Sequence, residues 1–116
     1  MEDLGRRTKT FSIGIVRLFA SLPKSAEAQV LGKQLLRCGT SVGAHYHEAI
    51  YAWSDSEFIA KIEGGLQELS ETRYWLELLR EVNVISQNSF DPLLQEAKEL
   101  TAILITISKK TKQRHL

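Results

Sequence analysis

The chain has 116 residues, 43% of them hydrophobic and 25% charged, with a formal net charge of +1. This length predicts a single domain, and the composition excludes a chain that is disordered throughout. The single cysteine, Cys38, excludes an intramolecular disulfide framework, and two prolines and seven glycines are too few for the many turns of an all-β fold.

The first predicted helix spans 6–22 and ends before Pro23. Its basic start and apolar stretch imitate a secretion signal, but Arg17 lies inside the stretch and acidic residues occupy the start. No run reaches the ~20 apolar residues that span a bilayer. We therefore expect a cytoplasmic protein without a membrane partner.

The second predicted helix spans 25–53, with Ser25 as its N-cap. Seam positions recur along it at alternating steps of four and three, which places them on one helical face. This series consists of Leu31, Leu35, Cys38, Val42, His45, Ala49 and Ala52. A third helix over 55–82 repeats the pattern and begins at a capping box, in which Ser54 caps the helix and Glu57 reaches back to the cap's own amide.

The pattern breaks between Asn83 and Asp91, and Asp91-Pro92 is typical of an N-cap followed by the first residue of a fourth helix, 91–112. Short loops make neighbouring helices antiparallel. Residues 1–116 are therefore predicted to form one all-α domain, an antiparallel up-down-up-down four-helix bundle, with a basic C-terminal tail from about residue 109.

Five glycines lie inside the predicted helices without breaking the apolar pattern. They are Gly32, Gly39, Gly43, Gly64 and Gly65. We interpret them as points of close approach between helices, although a kink near Gly64 and Gly65 is an alternative.

Motifs for catalysis are missing from the sequence. It contains no phosphate-binding glycine loop, no nucleophile elbow and no HExxH motif, and no Glu precedes a His by three residues. The sequence therefore predicts no catalytic, cofactor-binding or metal-binding residue, and a protein that is not an enzyme. His45 and Glu48 share a face but are too few for a zinc site. We expect Ser41, His45 and Glu48 to form a structural seam in which His45 is hydrogen-bonded to a neighbouring helix, with Glu48 and Ser41 as candidate partners.

Cysteine and aromatic residues allow further predictions. Cys38 lies on the apolar face, where a free cysteine acts as a small hydrophobe. Trp53 and the pair Tyr74-Trp75 are either core or subunit contacts, which burial preferences favour, or platforms on which nucleic-acid bases stack.

The charges are distributed unevenly along the chain. Residues 1–40 hold seven Lys/Arg and three Asp/Glu, residues 41–100 hold four and eleven, and residues 101–116 hold four and none. In the predicted topology the first helix starts at the pole where the fourth ends, so we expect seven positive side chains to converge there, with His115 beside them. They are Arg6, Arg7, Lys9, Lys109, Lys110, Lys112 and Arg114.

Such a basic patch indicates a polyanionic partner, RNA or DNA, bound through phosphate contacts. The alternative is a solvated terminus whose lysines suit the dipole at a helix C-terminus. Arg37 and Lys33 are further candidates for nucleic-acid contacts.

The chain also carries an ordered set of short motifs. They are Leu22-Pro23-Lys24, Gln34-Leu35-x-Arg37, Thr40-Ser41-Val42-Gly43-Ala44, Glu48-Ala49, Phe58-x-x-Lys61 and Glu71-x-x-Tyr74-Trp75-Leu76. Over about residues 8–108 their order and spacing resemble the four-helix-bundle family of 23S rRNA intervening-sequence proteins, which includes relatives of the accessory protein of diversity-generating retroelements. The chain departs from that pattern at His45, where the family commonly has Asn, and at His47, where it often has a basic residue.

The resemblance implies a bundle that assembles as a homopentameric ring and has no known catalytic activity. For the retroelement branch it implies binding to nucleic acid and to a reverse transcriptase through basic surfaces. Two functions follow as hypotheses. One is a non-enzymatic, pentameric nucleic-acid-binding or accessory protein that contacts phosphates without reading bases. The other is a ring scaffold that binds a protein partner, such as a reverse transcriptase, without nucleic acid.

Overall fold

The computed structural model describes residues 3–82 and 84–114. Within these residues the chain forms four α-helices, one short 3₁₀ turn and no strand. They are α1 (Leu4–Ser21), α2 (Ala26–Ala49), α3 (Asp55–Glu81), the turn Gln87–Ser89, and α4 (Asp91–Gln113). The prediction of an all-α, four-helix fold is confirmed. Asn83, the predicted start of the last interruption, lies outside the described residues.

Ion pairs at both ends of α3 and α4 show that these helices are antiparallel. Arg80, near the end of α3, donates to Asp91 at the start of α4, with Nε and Oδ1 2.9 Å apart. At the other end, Arg114 Nη2 lies 3.3 Å from Asp55 Oδ1. Asp91 is thus the first residue of α4 and not its predicted N-cap, a position that Phe90 occupies.

The contact between α1 and α2 is close because glycines of α2 face α1. A Cβ atom on Gly32 would lie 2.6 Å from Leu22 Cδ1, and one on Gly39 would lie 2.8 Å from Ile15 Cγ1. At both positions a side chain would force its neighbour on α1 or at the end of α1 to move. The order of these contacts reverses along the two helices, so α1 and α2 are antiparallel. The prediction of close approach is confirmed at Gly32 and Gly39 but not at Gly65, where a Cβ atom would meet nothing closer than 3.6 Å.

The core consists mainly of helical side chains at steps of three and four residues, which place them on one face of each helix. It includes Phe11, Ile15, Leu18, Leu35, Val42, Ile62, Leu69, Leu76, Leu79, Phe90, Ala97, Leu100 and Leu104. The bundle is elongated, with principal extents of 50 × 21 × 21 Å. None of the helices within the described ranges is long and apolar enough to cross a membrane.

Helix caps differ in part from their predictions. Ser54 Oγ accepts a hydrogen bond from the amide of Glu57 at 3.1 Å, which confirms the cap of α3. The Glu57 carboxylate reaches back to the amide of Trp53 (3.3 Å) rather than to that of Ser54. Ser25 precedes α2 as predicted, but its side chain makes no capping hydrogen bond. The second helix ends at Ala49, before its predicted end at residue 53.

Candidate nucleic-acid interface

The basic residues at the start of α1 lie beside acidic residues of α4. The Arg7 side chain is only 16% exposed. Its Nε and Nη2 atoms donate to the two carboxylate oxygens of Glu96 at 2.6 and 2.8 Å, and Nη2 also lies 2.8 Å from Glu99 Oε1. Arg6 is exposed and lines the same cleft between α1 and α4. Arg7 therefore links α1 to α4, and the carboxylates of Glu96 and Glu99 compensate its charge.

The two predicted basic clusters do not form one continuous patch. Arg7 contacts α4 at Glu99, whereas Arg114 follows the last turn of that helix. From residue 99 to residue 114 a helix rises about 22 Å, at 1.5 Å per residue. The prediction that all seven cations converge at one pole is therefore wrong. The 23-residue α4 extends along α3 beyond the start of the 18-residue α1, so its last cations lie away from those of α1. His115, predicted beside the cluster, lies outside the described residues.

The last turns of α4 carry the remaining cations of the predicted cluster. Two of them pair with acidic residues of α3: Lys112 Nζ lies 2.7 Å from Glu63 Oε2, and Arg114 Nη2 lies 3.3 Å from Asp55 Oδ1. Lys109 and Lys110 are exposed, and neither forms an ion pair with any residue in the described part of the chain. These two lysines are therefore the available positive charges at this end.

The candidates on α2 differ from one another. Arg37 forms ion pairs with two carboxylates of α3, Glu71 and Glu68, the latter at 3.7 Å. The same Glu71 carboxylate accepts a hydrogen bond from the indole nitrogen of Trp75 at 3.0 Å. The half-buried Trp75 therefore packs within the bundle and does not offer an open face on which a base could stack. Lys33 is exposed and has no ion pair among residues 3–82 and 84–114.

The predicted structural seam has different partners from those expected. Ser41 Oγ donates to the carbonyl oxygen four residues earlier in its own helix, at 2.7 Å. Glu48 accepts from Lys61 Nζ at 3.0 Å, and the hydrogen bond and charge of Lys61 lower the pKa of the Glu48 carboxyl. The predicted bond from His45 to either residue is therefore wrong. Its Nδ1 atom is buried and has no partner within the described residues.

Cys38 is fully buried in the bundle, as predicted for a small hydrophobe. Burial raises the pKa of its thiol, and a hydrogen bond with Thr72 opposes that shift only in part. A thiol with a raised pKa is a poor nucleophile because the thiolate is the reactive form. The residue therefore belongs to the core.

Sequence reasoning missed the loop between α2 and α3. Trp53 is 96% exposed and Tyr51 is 70% exposed. Of the interpretations of Trp53, the core residue is therefore wrong, whereas the subunit contact and the stacking platform stay predictions. An apolar residue just before an N-cap often packs on the fourth helical residue, here Phe58, but the exposure of Trp53 rules out that packing. The capping box could have predicted this exposure, because an N-cap at Ser54 places Trp53 before the start of α3 and outside a helix.

One side of this loop borders a groove between α1 and α2. The groove has a volume of about 300 Å³ and is lined mainly by small residues, with Lys9, His47 and Ile50 at its rim. The ring centroids of His47 and Tyr51 are 5.3 Å apart. Lys9 has no ion pair among the residues that the structure describes. The loop aromatics thus adjoin a lysine of the predicted set.

The other side of the loop borders the end of α4. Phe58, Lys110 and Arg114 line a second groove, of about 320 Å³. Arg114 pairs with Asp55, two residues after Trp53. The α2–α3 loop therefore has Lys9 of α1 near its first residue, Ile50, and Arg114 near its end, at Asp55.

The fold and this surface define a small antiparallel helical bundle with exposed aromatic residues in the α2–α3 loop, exposed lysines near the end of α4 and a buried cysteine. A sequence profile of the 23S rRNA-intervening sequence protein matches residues 3–106. The chain belongs to this family.

A solved relative supports the same placement. The chain is similar to a protein of unknown function from the S23 ribosomal protein family of Bacteroides thetaiotaomicron, whose crystal structure was determined at 1.70 Å. The two are 36% identical with a TM-score of 0.86, over 92% of this chain and 99% of the other. A comparison with curated proteins gives no significant match.

Proposed function

We propose that the protein is a non-enzymatic, oligomeric nucleic-acid-binding or accessory protein that contacts phosphates without reading bases. The observation that carries this proposal is the pair Lys109 and Lys110, exposed on α4 without an ion pair within residues 3–82 and 84–114. Lys9 adds a third uncompensated cation beside the α2–α3 loop. Phosphate contacts by such lysines release counterions, which supplies most of the sequence-independent affinity for nucleic acid.

Assembly is part of the proposal because the end of α4 in one subunit offers only two cations, Lys109 and Lys110, without an ion pair among the described residues. The resemblance to the intervening-sequence family implies a homopentameric ring, and exposed Ile13 and Val16, three residues apart on α1, give an apolar strip that a neighbouring subunit would cover. Five copies of the α4 lysines on one assembly would bind a polyanion far more tightly than one copy.

Mass measurement tests the assembly. Static light scattering on the purified chain should give about five times 13.1 kDa, near 66 kDa. A mass near 13.1 kDa would remove the oligomeric part of the proposal. A variant with Ile13 and Val16 both changed to Gln should shift the mass toward the monomer while keeping its helical circular dichroism.

Salt dependence tests the nucleic-acid part. The affinity for a labelled structured RNA hairpin should fall steeply with salt, and the double variant K109E/K110E should flatten the log–log slope by about one to two units. Lys112 and Arg114 are left unchanged because reversing them would break their ion pairs with α3.

The matched control reverses two exposed lysines elsewhere, Lys24 in the α1–α2 loop and Lys98 on the first half of α4. K24E/K98E changes the net charge by the same amount, so its slope should remain that of wild type. Equal slopes in both double variants would show non-specific attraction to the whole molecule. A 66 kDa assembly without salt-sensitive RNA binding would favour the other hypothesis, a ring scaffold for a protein partner such as a reverse transcriptase.

A further inference from the structure

The α2–α3 loop carries an exposed aromatic surface that folding does not use. Trp53 is 96% exposed, and within the described residues its one hydrogen bond runs from the backbone amide to Glu57. Tyr51 and Ile50 are exposed beside it. Large aromatic side chains usually bury most of their surface, and tryptophan above all. Two exposed aromatic residues and an exposed isoleucine in one short loop therefore mark a surface for binding.

The charges around this loop are complementary to a polyanion. Lys9 and His47 line the groove on the α1 side, and Lys110 lines the groove on the α4 side. Two acidic residues near the loop already bind groups of the protein: Asp55 forms an ion pair with Arg114, and the Glu57 carboxylate accepts a hydrogen bond from the amide of Trp53. The loop thus presents aromatic rings between positive charges, with its own carboxylates neutralised or used in a cap.

We propose that the α2–α3 loop binds single-stranded RNA or DNA by stacking bases on Trp53 and Tyr51. This inference deepens the proposed function and rests on it. Stacking needs bases whose faces are accessible, which a single strand offers and an intact duplex does not. Lys9, which lines the groove on the α1 side, and Lys110, which lines the groove on the α4 side, are the cations that phosphates further along a bound strand would contact. Stacking is tolerant of sequence, since every base has a π-face.

Anisotropy measurements separate stacking from charge. A labelled oligo(dT) of about 20 nucleotides should bind wild type more tightly than a labelled duplex of equal length. W53A should lose about tenfold or more of the single-strand affinity with the salt slope unchanged, because stacking releases no counterions. W53F should retain most of the affinity. Duplex binding should be the same in all three proteins.

An exposed aromatic residue far from the loop provides the control. Tyr74 lies on α3 beside Ser70 and Glu77, and it is exposed. Y74A should bind oligo(dT) as wild type does. Intrinsic fluorescence gives a second readout: oligo(dT) should quench wild type but leave W53F nearly unquenched, because the remaining Trp75 is half-buried and hydrogen-bonded to Glu71.

The outcomes distinguish the two proposals. Failure of wild type to bind either single strand or duplex at low salt would overturn both. Equal binding of both forms, unaffected by W53A but weakened by K109E/K110E, would overturn only the stacking inference and leave the phosphate-binding proposal standing. Loss of affinity in Y74A equal to that in W53A would also overturn it, because the effect would not be specific to the loop.

Discussion

The imidazole of His45 lies directly against Gly64, so closely that a side chain at that position of α3 would force the ring to move. A Cβ atom on Gly64 would be 2.7 Å from Cε1 and 2.8 Å from Nδ1 of the ring. The same Nδ1 atom is buried without a partner in the described residues. Gly64 thus makes space for the His45 ring, which the sequence pattern predicts to be hydrogen-bonded.

The first prediction concerns adjacent glycines of α3 that differ in their surroundings. Gly64→Ala should lower the free energy of unfolding by about 1–2 kcal/mol, because overpacking against His45 exceeds the gain in helix propensity. Gly65→Ala should raise it by up to about 1 kcal/mol, since its Cβ would meet nothing closer than 3.6 Å. Urea unfolding followed by circular dichroism measures both.

A double variant identifies the cause of the Gly64 effect. When His45→Ala is the background, the ring is gone and Gly64→Ala should become neutral or stabilising. If Gly64→Ala costs the same in both backgrounds, the loss does not come from the contact with His45.

Most of the fold could be predicted because its determinants are local. The seven-residue spacing from Leu35 to Val42, and from Ile62 through Leu69 to Leu76, places these side chains on one face whatever the rest of the chain does. Short loops then leave antiparallel packing as the remaining arrangement. Close approach at Gly32 and Gly39 followed for the same reason, since the apolar series of α2 continues past both glycines without a break.

The site was less predictable because it depends on the axial offset between helices. The axial offset between α1 and α4 determines which carboxylate pairs with Arg7. No sequence pattern predicts that offset. The exposure of Trp53 has a local cause that was misjudged. A cap at Ser54 and antiparallel packing require residues 50–53 for the reversal, so α2 ends at Ala49 and the indole leaves the helix.

The second prediction concerns the link between α1 and α4. Arg7→Gln should lower the free energy of unfolding by about 2 kcal/mol, because it removes charge-assisted hydrogen bonds from a partly buried site and leaves Glu96 and Glu99 facing each other. Its neighbour Arg6 is exposed in the same cleft, so Arg6→Gln should change the value by no more than about 0.5 kcal/mol. Chemical denaturation compares them, and equal losses would contradict the structural role given to Arg7.

The third prediction is a pH dependence at Glu99. Hydrogen bonds from Gln95 and then from Arg7 lower the pKa of its carboxyl below the usual 4.5. A carboxyl whose pKa is lower in the folded state stabilises the fold at pH values above its unfolded pKa, and that contribution disappears as the pH falls through the folded value. The stability difference between wild type and Glu99→Gln should therefore be constant near neutrality and shrink below about pH 4.5.

Unfolding curves at a series of pH values from neutrality to about pH 3 measure this difference. Gln95→Ala removes the principal donor to Glu99, so the pH-dependent part should be smaller in that background. A difference between wild type and Glu99→Gln that is the same at both ends of the series would show that the carboxyl gains nothing from its partners.

The last prediction compares two serines that stand at the same position of two helices. Ser54 Oγ accepts the Glu57 amide at 3.1 Å, so Ser54→Ala should lower the free energy of unfolding by about 1 kcal/mol. Ser25 occupies the N-cap of α2 in a comparable extended backbone conformation, but its hydroxyl caps nothing. Ser25→Ala should therefore cost only a few tenths of a kcal/mol. Because both substitutions remove the same atom from the same helical position, urea unfolding isolates the capping bond, and equal losses would mean that Ser25 also caps its helix in solution.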